Sequence, residues 1–167
     1  QLQLTPNALN HLGGITVNAG VNAVAYKVDF DFTATPAGGA DGFSYSFGDD
    51  VNASSTAPTA EKGSGTKLKI SFDAYGAMPN AAGIYLLYNN TLAAFDATTP
   101  GVLGYVANTS WVGAATNHAT IETNANGQVT VTVNGTAIFT NVQLPAAYLA
   151  ANKATWRHAI AGRTGGI

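Results

Sequence analysis

Apolar residues alternate with polar or small residues along many short stretches of this chain. The clearest stretch spans residues 24–32, and its apolar members are Val24, Tyr26, Val28, Phe30 and Phe32. A period of two places successive side chains on opposite faces of a β-strand, so each such strand is expected to bury one face. The same pattern, or a short apolar run, predicts further strands at 2–4, 15–17, 43–47, 68–72, 84–88, 119–123, 129–133 and 138–142, with a last strand starting at 156.

Turn residues separate these stretches. Asn126-Gly127 and Asn134-Gly135 lie between alternating runs. Both residues of an Asn-Gly pair tolerate positive φ, so two pairs in succession predict a three-stranded meander. Residues 48–65 are predicted to form a long loop, 89–104 a second loop or two weak strands, and 146–152 one helical turn. Many short strands with almost no helical periodicity predict an all-β antiparallel sandwich, built as one domain over residues 1–167.

The composition excludes several classes of protein. Charged residues make up 10% of the 167 residues, against a typical value of about 25%. Seven basic residues cannot build the basic patch of a nucleic-acid-binding protein. No cysteine is present, which excludes disulfides and thiolate metal sites, and no stretch approaches the ~20 apolar residues of a membrane span. A cysteine-free domain rich in Thr, Asn, Ala and Gly favours a secreted or surface protein of bacteria, and the start at Gln1 suggests a mature form or a fragment of a larger protein.

Four segments together resemble one family. Ala40-Asp41-Gly42-Phe43 resembles the loop with Ala, Asp, Gly and an aromatic residue in legume-type (L-type) lectins and their bacterial relatives. The segment 70–75, Ile-Ser-Phe-Asp-Ala-Tyr, resembles the strand that leads into their metal loop. Residues 126–145 resemble their back-sheet hairpins, and Trp156 to Gly166 is similar to the strand and Thr-Gly-Gly loop that complete their sugar site. The four segments occur in the family's order, so the chain resembles the concanavalin A-like lectin/glucanase superfamily.

This resemblance implies a jelly-roll β-sandwich with a sugar site on loops at one edge of the concave sheet. It implies that Asp41 accepts hydrogen bonds from two sugar hydroxyl groups, and that the peptide bond before it is cis, as it often is in the family. The implied ligand-binding residues are Asp41, Gly42, Gly65, Tyr75, Asn80 and Gly165. The implied calcium ligands are Asp73, the carbonyl group of Tyr75 and the side chain of Asn80.

The chain departs from the family pattern in its metal loop. Gly76 and Ala77 lie where the family usually has an asparagine, and Asn80 replaces a second acid. Ca²⁺ prefers about six to eight oxygen ligands, and its affinity depends on their charge. One carboxylate and one amide make a poor site unless Asp41, backbone carbonyl groups and water complete it, so both bound Ca²⁺ and no cofactor stay open. The strand that usually follows the Thr-Gly-Gly loop would lie beyond Ile167, so we expect either that the sequence is a fragment or that another segment supplies this strand.

Each of these residues also has a simpler interpretation. Asp41 in a glycine-rich loop can bond its own backbone in a turn, and Asp73 at a strand end can cap a turn. Tyr75 can stack on the apolar face of a sugar or be an aromatic residue at the rim without a ligand. Trp111 and Trp156 are expected to anchor the core.

An enzyme of the superfamily would need a pair of catalytic acids. Asp29 and Asp31 lie on one strand face, but a solvated face explains them better than glycosidase chemistry. The superfamily's glucanases carry two glutamates around an aspartate on one strand, whereas Glu61 and Glu122 are isolated here. The sequence therefore predicts a protein that is not an enzyme.

The favoured function is that of a carbohydrate-binding module in a secreted or cell-surface bacterial protein, an adhesin, with a carbohydrate or glycoconjugate as partner. A structural or protein-binding sandwich without sugar binding is the alternative. A glycoside hydrolase or lyase is the least favoured class.

Overall fold

The computed structural model describes residues 2–6, 8–35, 40–52, 60–76, 81–91 and 95–165. Within these ranges the chain forms ten strands, one 3₁₀ turn and one short helix. In chain order they are β1 (Leu12–Asn18), β2 (Tyr26–Ala34), β3 (Asp41–Gly48), the 3₁₀ turn (Ala60–Lys62), β4 (Leu68–Asp73), β5 (Gly83–Leu87), β6 (Val102–Val106), β7 (Gly113–Thr123), β8 (Gln128–Val133), β9 (Thr136–Gln143), α1 (Ala146–Ala150) and β10 (Arg157–Thr164).

The strands form two antiparallel sheets. The six-stranded sheet has the order β1-β10-β3-β4-β5-β6, and the four-stranded sheet has the order β2-β7-β8-β9. The meander predicted from the two Asn-Gly pairs is β7-β8-β9, in which each strand pairs with the next. This arrangement confirms the all-β jelly-roll sandwich predicted from the alternating residues.

The core lies between the two sheets and is rich in aromatic residues. Phe43 of β3 stacks on Phe72 of β4 with ring centroids 4.4 Å apart, and the edge of Trp111 contacts both rings at 5.8 and 5.6 Å. Trp111 and Trp156 are both fully buried, as expected for core anchors. Offset and edge-to-face contacts of this kind fix ring geometry, so they hold β3 and β4 in one register.

Strand β4 differs from its prediction, which gave it one buried face. Leu68, Ile70 and Phe72 face the core, but Lys69 and Ser71 on the other face are also buried, at 2% and 0% exposure. The reason is the 3₁₀ turn, which lies over that face: the Ser71 hydroxyl donates to the carbonyl oxygen of Glu61 at 2.5 Å. The expectation of a solvated second face was therefore wrong at β4.

Two other predictions need correction, the strand at 2–4 and the start of β7. Residues 2–4 do not form a strand. The backbone of Leu4 instead lies close to Gly13 of β1, where a Cβ atom would be 1.7 Å from the Leu4 carbonyl oxygen. The segment 89–104 was predicted as a loop or two weak strands, and β6 forms at its end, at Val102–Val106. Strand β7 begins at Gly113, six residues before the alternation does. Among the described residues, no helix is long and apolar enough to cross a membrane.

Candidate functional site

Strands β10, β3 and β4 lie side by side in the middle of the six-stranded sheet. Several predicted site residues lie at one end of these strands, and we call this end of the sheet its edge. Asp41 is the first residue of β3, and the register pairs it with Thr164, the last residue of β10. On the other side of β3, Gly42 pairs with Asp73, the last residue of β4. Antiparallel pairing therefore places Asp41, Asp73 and Gly165 at the same edge.

Backbone contacts hold these chain segments together. The Ala40–Asp41 peptide bond is cis, as the resemblance implies. The amide of Ala74 donates to the carbonyl oxygen of Asp41 at 2.7 Å, and the amide of Gly165 donates to that of Ala40 at 2.9 Å. Gly42 has φ of 145°, and a Cβ atom there would lie 2.0 Å from a backbone oxygen of β4. Only glycine permits this close approach of β3 to β4.

The carboxylate of Asp41 is largely buried and bonded on one side. The Nε group of Arg163 donates a hydrogen bond to Asp41 Oδ2 and lies 3.7 Å from Oε2 of Glu61. No residue within the described ranges bonds the other oxygen, Asp41 Oδ1. Glu61 Oε2 is buried and lacks a hydrogen-bond partner among the described residues, and burial raises the pKa of this carboxyl group.

The carboxylate of Asp73 has donors on both oxygens. Its Oδ1 accepts the backbone N–H of Tyr75 at 3.0 Å, and its Oδ2 forms an ion pair with the ammonium group of Lys62. Both side chains of this ion pair are buried. A buried carboxylate needs a compensating charge, and Lys62 supplies it.

Of the other predicted ligand residues, Tyr75 lies at the edge that carries Asp41 and Gly65 does not. Tyr75 exposes 52% of its surface next to Asp73, whereas Gly65 packs against Asp50, beyond the opposite end of β3. Strand β3 has eight residues, so Gly65 lies roughly 20 Å from Asp41 and is not brought to its edge. Asn80, predicted as a ligand of both sugar and metal, lies outside the described residues.

The sequence analysis missed three charged residues of the site: Glu61, Lys62 and Arg163. Glu61 and Lys62 form most of the 3₁₀ turn within the loop predicted at 48–65. The available signal was an adjacent acid and base in a loop otherwise made of small polar residues, in a chain with few charges. Arg163 lies on β10 beside Asp41 and Glu61, within the segment that resembles the family's Thr-Gly-Gly strand.

The acids on β2 lie on the other sheet. The side chains of Asp29 and Asp31 are 40% and 68% exposed and contact His118 of β7, with an Nδ1–Oδ1 distance of 2.7 Å to Asp31. This is the solvated strand face that the sequence analysis favoured.

The residues described here do not fit a calcium ion. Asp73, the main predicted ligand, directs one oxygen to an ammonium group and the other to a backbone N–H. A cation at Oδ2 would have to displace Lys62, a like charge. The described residues also contain no group of three or more His, Cys, Asp and Glu side chains that could hold a metal ion.

The fold has known counterparts among solved structures. No protein-family profile and no curated protein sequence matches the chain. The exoplasmic/lumenal domain of VIP36 in its metal-free form superposes with a TM-score of 0.69 at 17% identity, over 97% of this chain and 72% of that one. The chain has the L-type lectin fold.

Two further structures show the same similarity. The carbohydrate recognition domain of Emp47p has a TM-score of 0.65 at 13% identity, over 97% of this chain and 73% of its own. Lectin II from Ulex europaeus has a TM-score of 0.65 at 14% identity, over 98% and 79%. The VIP36 domain has also been solved with Ca²⁺ and the glycan Man3GlcNAc, and the Ulex lectin with galactose.

Proposed function

We propose that this chain binds carbohydrate at the edge of the concave sheet that carries Asp41. The proposal rests on the hydrogen bonding of the Asp41 carboxylate, in a fold that this chain shares with sugar-binding lectins. Arg163 orients Asp41 through Oδ2, while Oδ1 has no partner among the described residues. A carboxylate oriented on one side and available on the other can accept hydrogen bonds from sugar hydroxyl groups.

Neighbouring residues shape this site around Asp41. Gly42 and Gly165 leave space where a side chain would stand, and a Cβ atom at Gly165 would lie 2.7 Å from that of Ala40. The ring of Tyr75 is half exposed and offers an apolar face to the C–H groups of a pyranose. The N–H of Gly165 is already bonded to Ala40, so Gly165 contributes shape and not a donor.

A single shallow site of this type binds weakly. Useful affinity then comes from several copies acting together on a surface that carries many glycans. We propose accordingly that the chain is a module of a secreted or cell-surface bacterial protein, an adhesin. The cysteine-free, weakly charged composition supports this location, and the VIP36 domain of the same fold is exoplasmic or lumenal. Immunolabelling of intact against lysed cells tests it.

A structural or protein-binding role is the second candidate, because Lys62 already neutralises Asp73 and the 3₁₀ turn covers part of the concave face. Hydrolase chemistry is disfavoured. Glu61 lies among the acids at this edge, but the residue is 4% exposed and its Oε2 is buried. Asp29 and Asp31 lie on the other sheet.

A glycan array probed with three proteins tests the proposal. The wild-type chain is expected to bind a chemically related set of glycans, and Asp41→Asn is expected to lose that signal. Asp31→Asn is the matched control, since Asp31 is an exposed acid on the other sheet and its variant is expected to bind like the wild type. A blank array with wild type, or full binding by Asp41→Asn, would overturn the proposal.

A further inference from the structure

The 3₁₀ turn Ala60–Lys62 is fixed over the six-stranded sheet, on the face that points away from the core, by serine side chains. The hydroxyl of Ser44 donates to the carbonyl oxygen of Ala60, and that of Ser71 donates to the carbonyl oxygen of Glu61. These two serines belong to the neighbouring strands β3 and β4. The turn is thus anchored to both strands that carry the site, and the start of the Lys62 side chain is held above them.

The side chain of Lys62 ends at Asp73. Its ammonium group contacts Asp73 Oδ2 and lies 5.5 Å from the centroid of the Phe95 ring. Lys62 is 7% exposed and Asp73 is 1% exposed. An ammonium group is rarely buried to this extent unless a carboxylate and other favourable contacts compensate it.

We infer that the ammonium group of Lys62 holds Asp73, and through it the backbone of Tyr75, in the place of a metal ion, so that the site works without Ca²⁺. The inference rests on the proposed function only for its sugar-binding readout. Lys62 is a positioning residue in this account, because it acts on the sugar site through Asp73 and the backbone of Tyr75.

The charges around Asp73 support this inference. Three acids, Asp41, Glu61 and Asp73, share this edge with two bases, Lys62 and Arg163. The acids exceed the bases by a single charge, so a divalent cation would leave the cluster positive. Both carboxylate oxygens of Asp73 already accept a hydrogen bond, Oδ1 from the backbone of Tyr75 and Oδ2 from Lys62. The chain thus carries its own cations where a bound ion would otherwise be needed.

The first test measures thermal unfolding of the whole chain in millimolar CaCl₂ and in EDTA. The two midpoints are expected to be equal. A calcium site at about 1,000-fold excess of free ion over its Kd would raise the midpoint by roughly 8–16 °C. The inference would be overturned if calcium raises the midpoint of wild type by this amount and does not raise that of Asp73→Asn.

The second test removes the ammonium group. Lys62→Met keeps a long apolar side chain but removes the buried ion pair with Asp73, so its midpoint in EDTA is expected to fall by roughly 6–20 °C. The matched control is Lys27→Met, which breaks an exposed Lys–Asp pair of 3.1 Å and is expected to shift the midpoint by at most about 4 °C. Equal, small shifts for both variants would contradict the role of Lys62.

A double variant separates charge from packing. Lys62→Met combined with Asp73→Asn removes the uncompensated carboxylate, so it is expected to recover part of the midpoint lost by Lys62→Met alone. No recovery would show that the loss came from the aliphatic chain of Lys62 and would overturn the inference. If Lys62→Met does not fold, the double variant and the calcium test on wild type still test the role of Lys62.

The two proposals fail in different ways. A blank glycan array with calcium-insensitive unfolding would reject sugar binding and leave the role of Lys62 intact. Binding to glycans that disappears in EDTA would support sugar binding and reject the role of Lys62.

Discussion

Lys69 of β4 is a second buried lysine, and it lies beside Gly63, just after the 3₁₀ turn. Its ammonium group donates to the carbonyl oxygen of Asn90 at 2.9 Å, and the residue is 2% exposed. Burial lowers the pKa of Lys69 to about 8, against an ordinary value of 10.5, while the charge of Asp50 acts in the opposite direction. Folding therefore makes this lysine a weaker base.

This lowered pKa predicts how stability depends on pH. Between about pH 8 and 10.5 the unfolded chain holds the proton on Lys69 and the native chain has lost it. The free energy of unfolding must then rise with pH, because stability increases wherever the unfolded state binds more protons. Between pH 8 and pH 9.5 the contribution of Lys69 amounts to about 1.5 kcal/mol, or roughly 3–6 °C in melting temperature.

The assay is urea unfolding at several pH values in this window, for wild type and Lys69→Met. The difference in unfolding free energy between them is expected to move in favour of wild type as the pH rises. Tyr85 and Tyr148, whose pKa values burial raises to about 12, are present in both proteins and cancel. Lys67→Met is the control, since Lys67 is only partly buried and precedes the strand. A difference that stays constant or reverses over this range would refute the reasoning.

The histidines provide two further predictions. Burial lowers the pKa of His158, so stability is expected to be lost as the pH falls from 6.5 toward the lowered value; His158→Gln should weaken this acid sensitivity in denaturant titrations, and an unchanged slope would contradict it. The hydrogen bond with Asp31 raises the pKa of His118, so its stabilising contribution is present below pH 6.5 and is lost as the pH rises through the raised value. In an NMR titration of the ring, Asp31→Asn is expected to lower the midpoint of His118 and leave that of His158 unchanged.

Much of the fold could be predicted because alternation and turn chemistry are local. The strand around Val28 and the hairpin turns at Asn126 and Asn134 follow from a few adjacent residues, and the structure has them at these positions. The first residues of β7 were missed because Gly113 to Thr116 are partly or fully exposed and show no alternation. Their pairing is decided by the neighbouring strand and not by their own sequence.

The candidate site was predicted in part. Asp41, Asp73 and Gly165 meet because they end or begin paired strands, which the order of motifs indicates. The partner Lys62 could not be predicted, since an ion pair made from a long loop depends on how that loop folds back over the sheet. The same loop explains why Lys69 and Ser71 are buried, whereas their alternation with apolar residues is typical of a solvated face. Arg163 lies on β10 beside β3, and its ion pair with Asp41 depends on the register of these two strands, which the sequence does not give.

The central claim is that the Asp41 carboxylate binds a sugar. Calorimetric titration with the glycan that binds most strongly on the array tests it most directly, using wild type, Asp41→Asn and the control Asp31→Asn. Charge-assisted hydrogen bonds contribute about 1.5–3 kcal/mol each, so the account predicts that Asp41→Asn weakens binding by about tenfold to 100-fold. It predicts no change for Asp31→Asn. Equal affinities of wild type and Asp41→Asn would contradict the account.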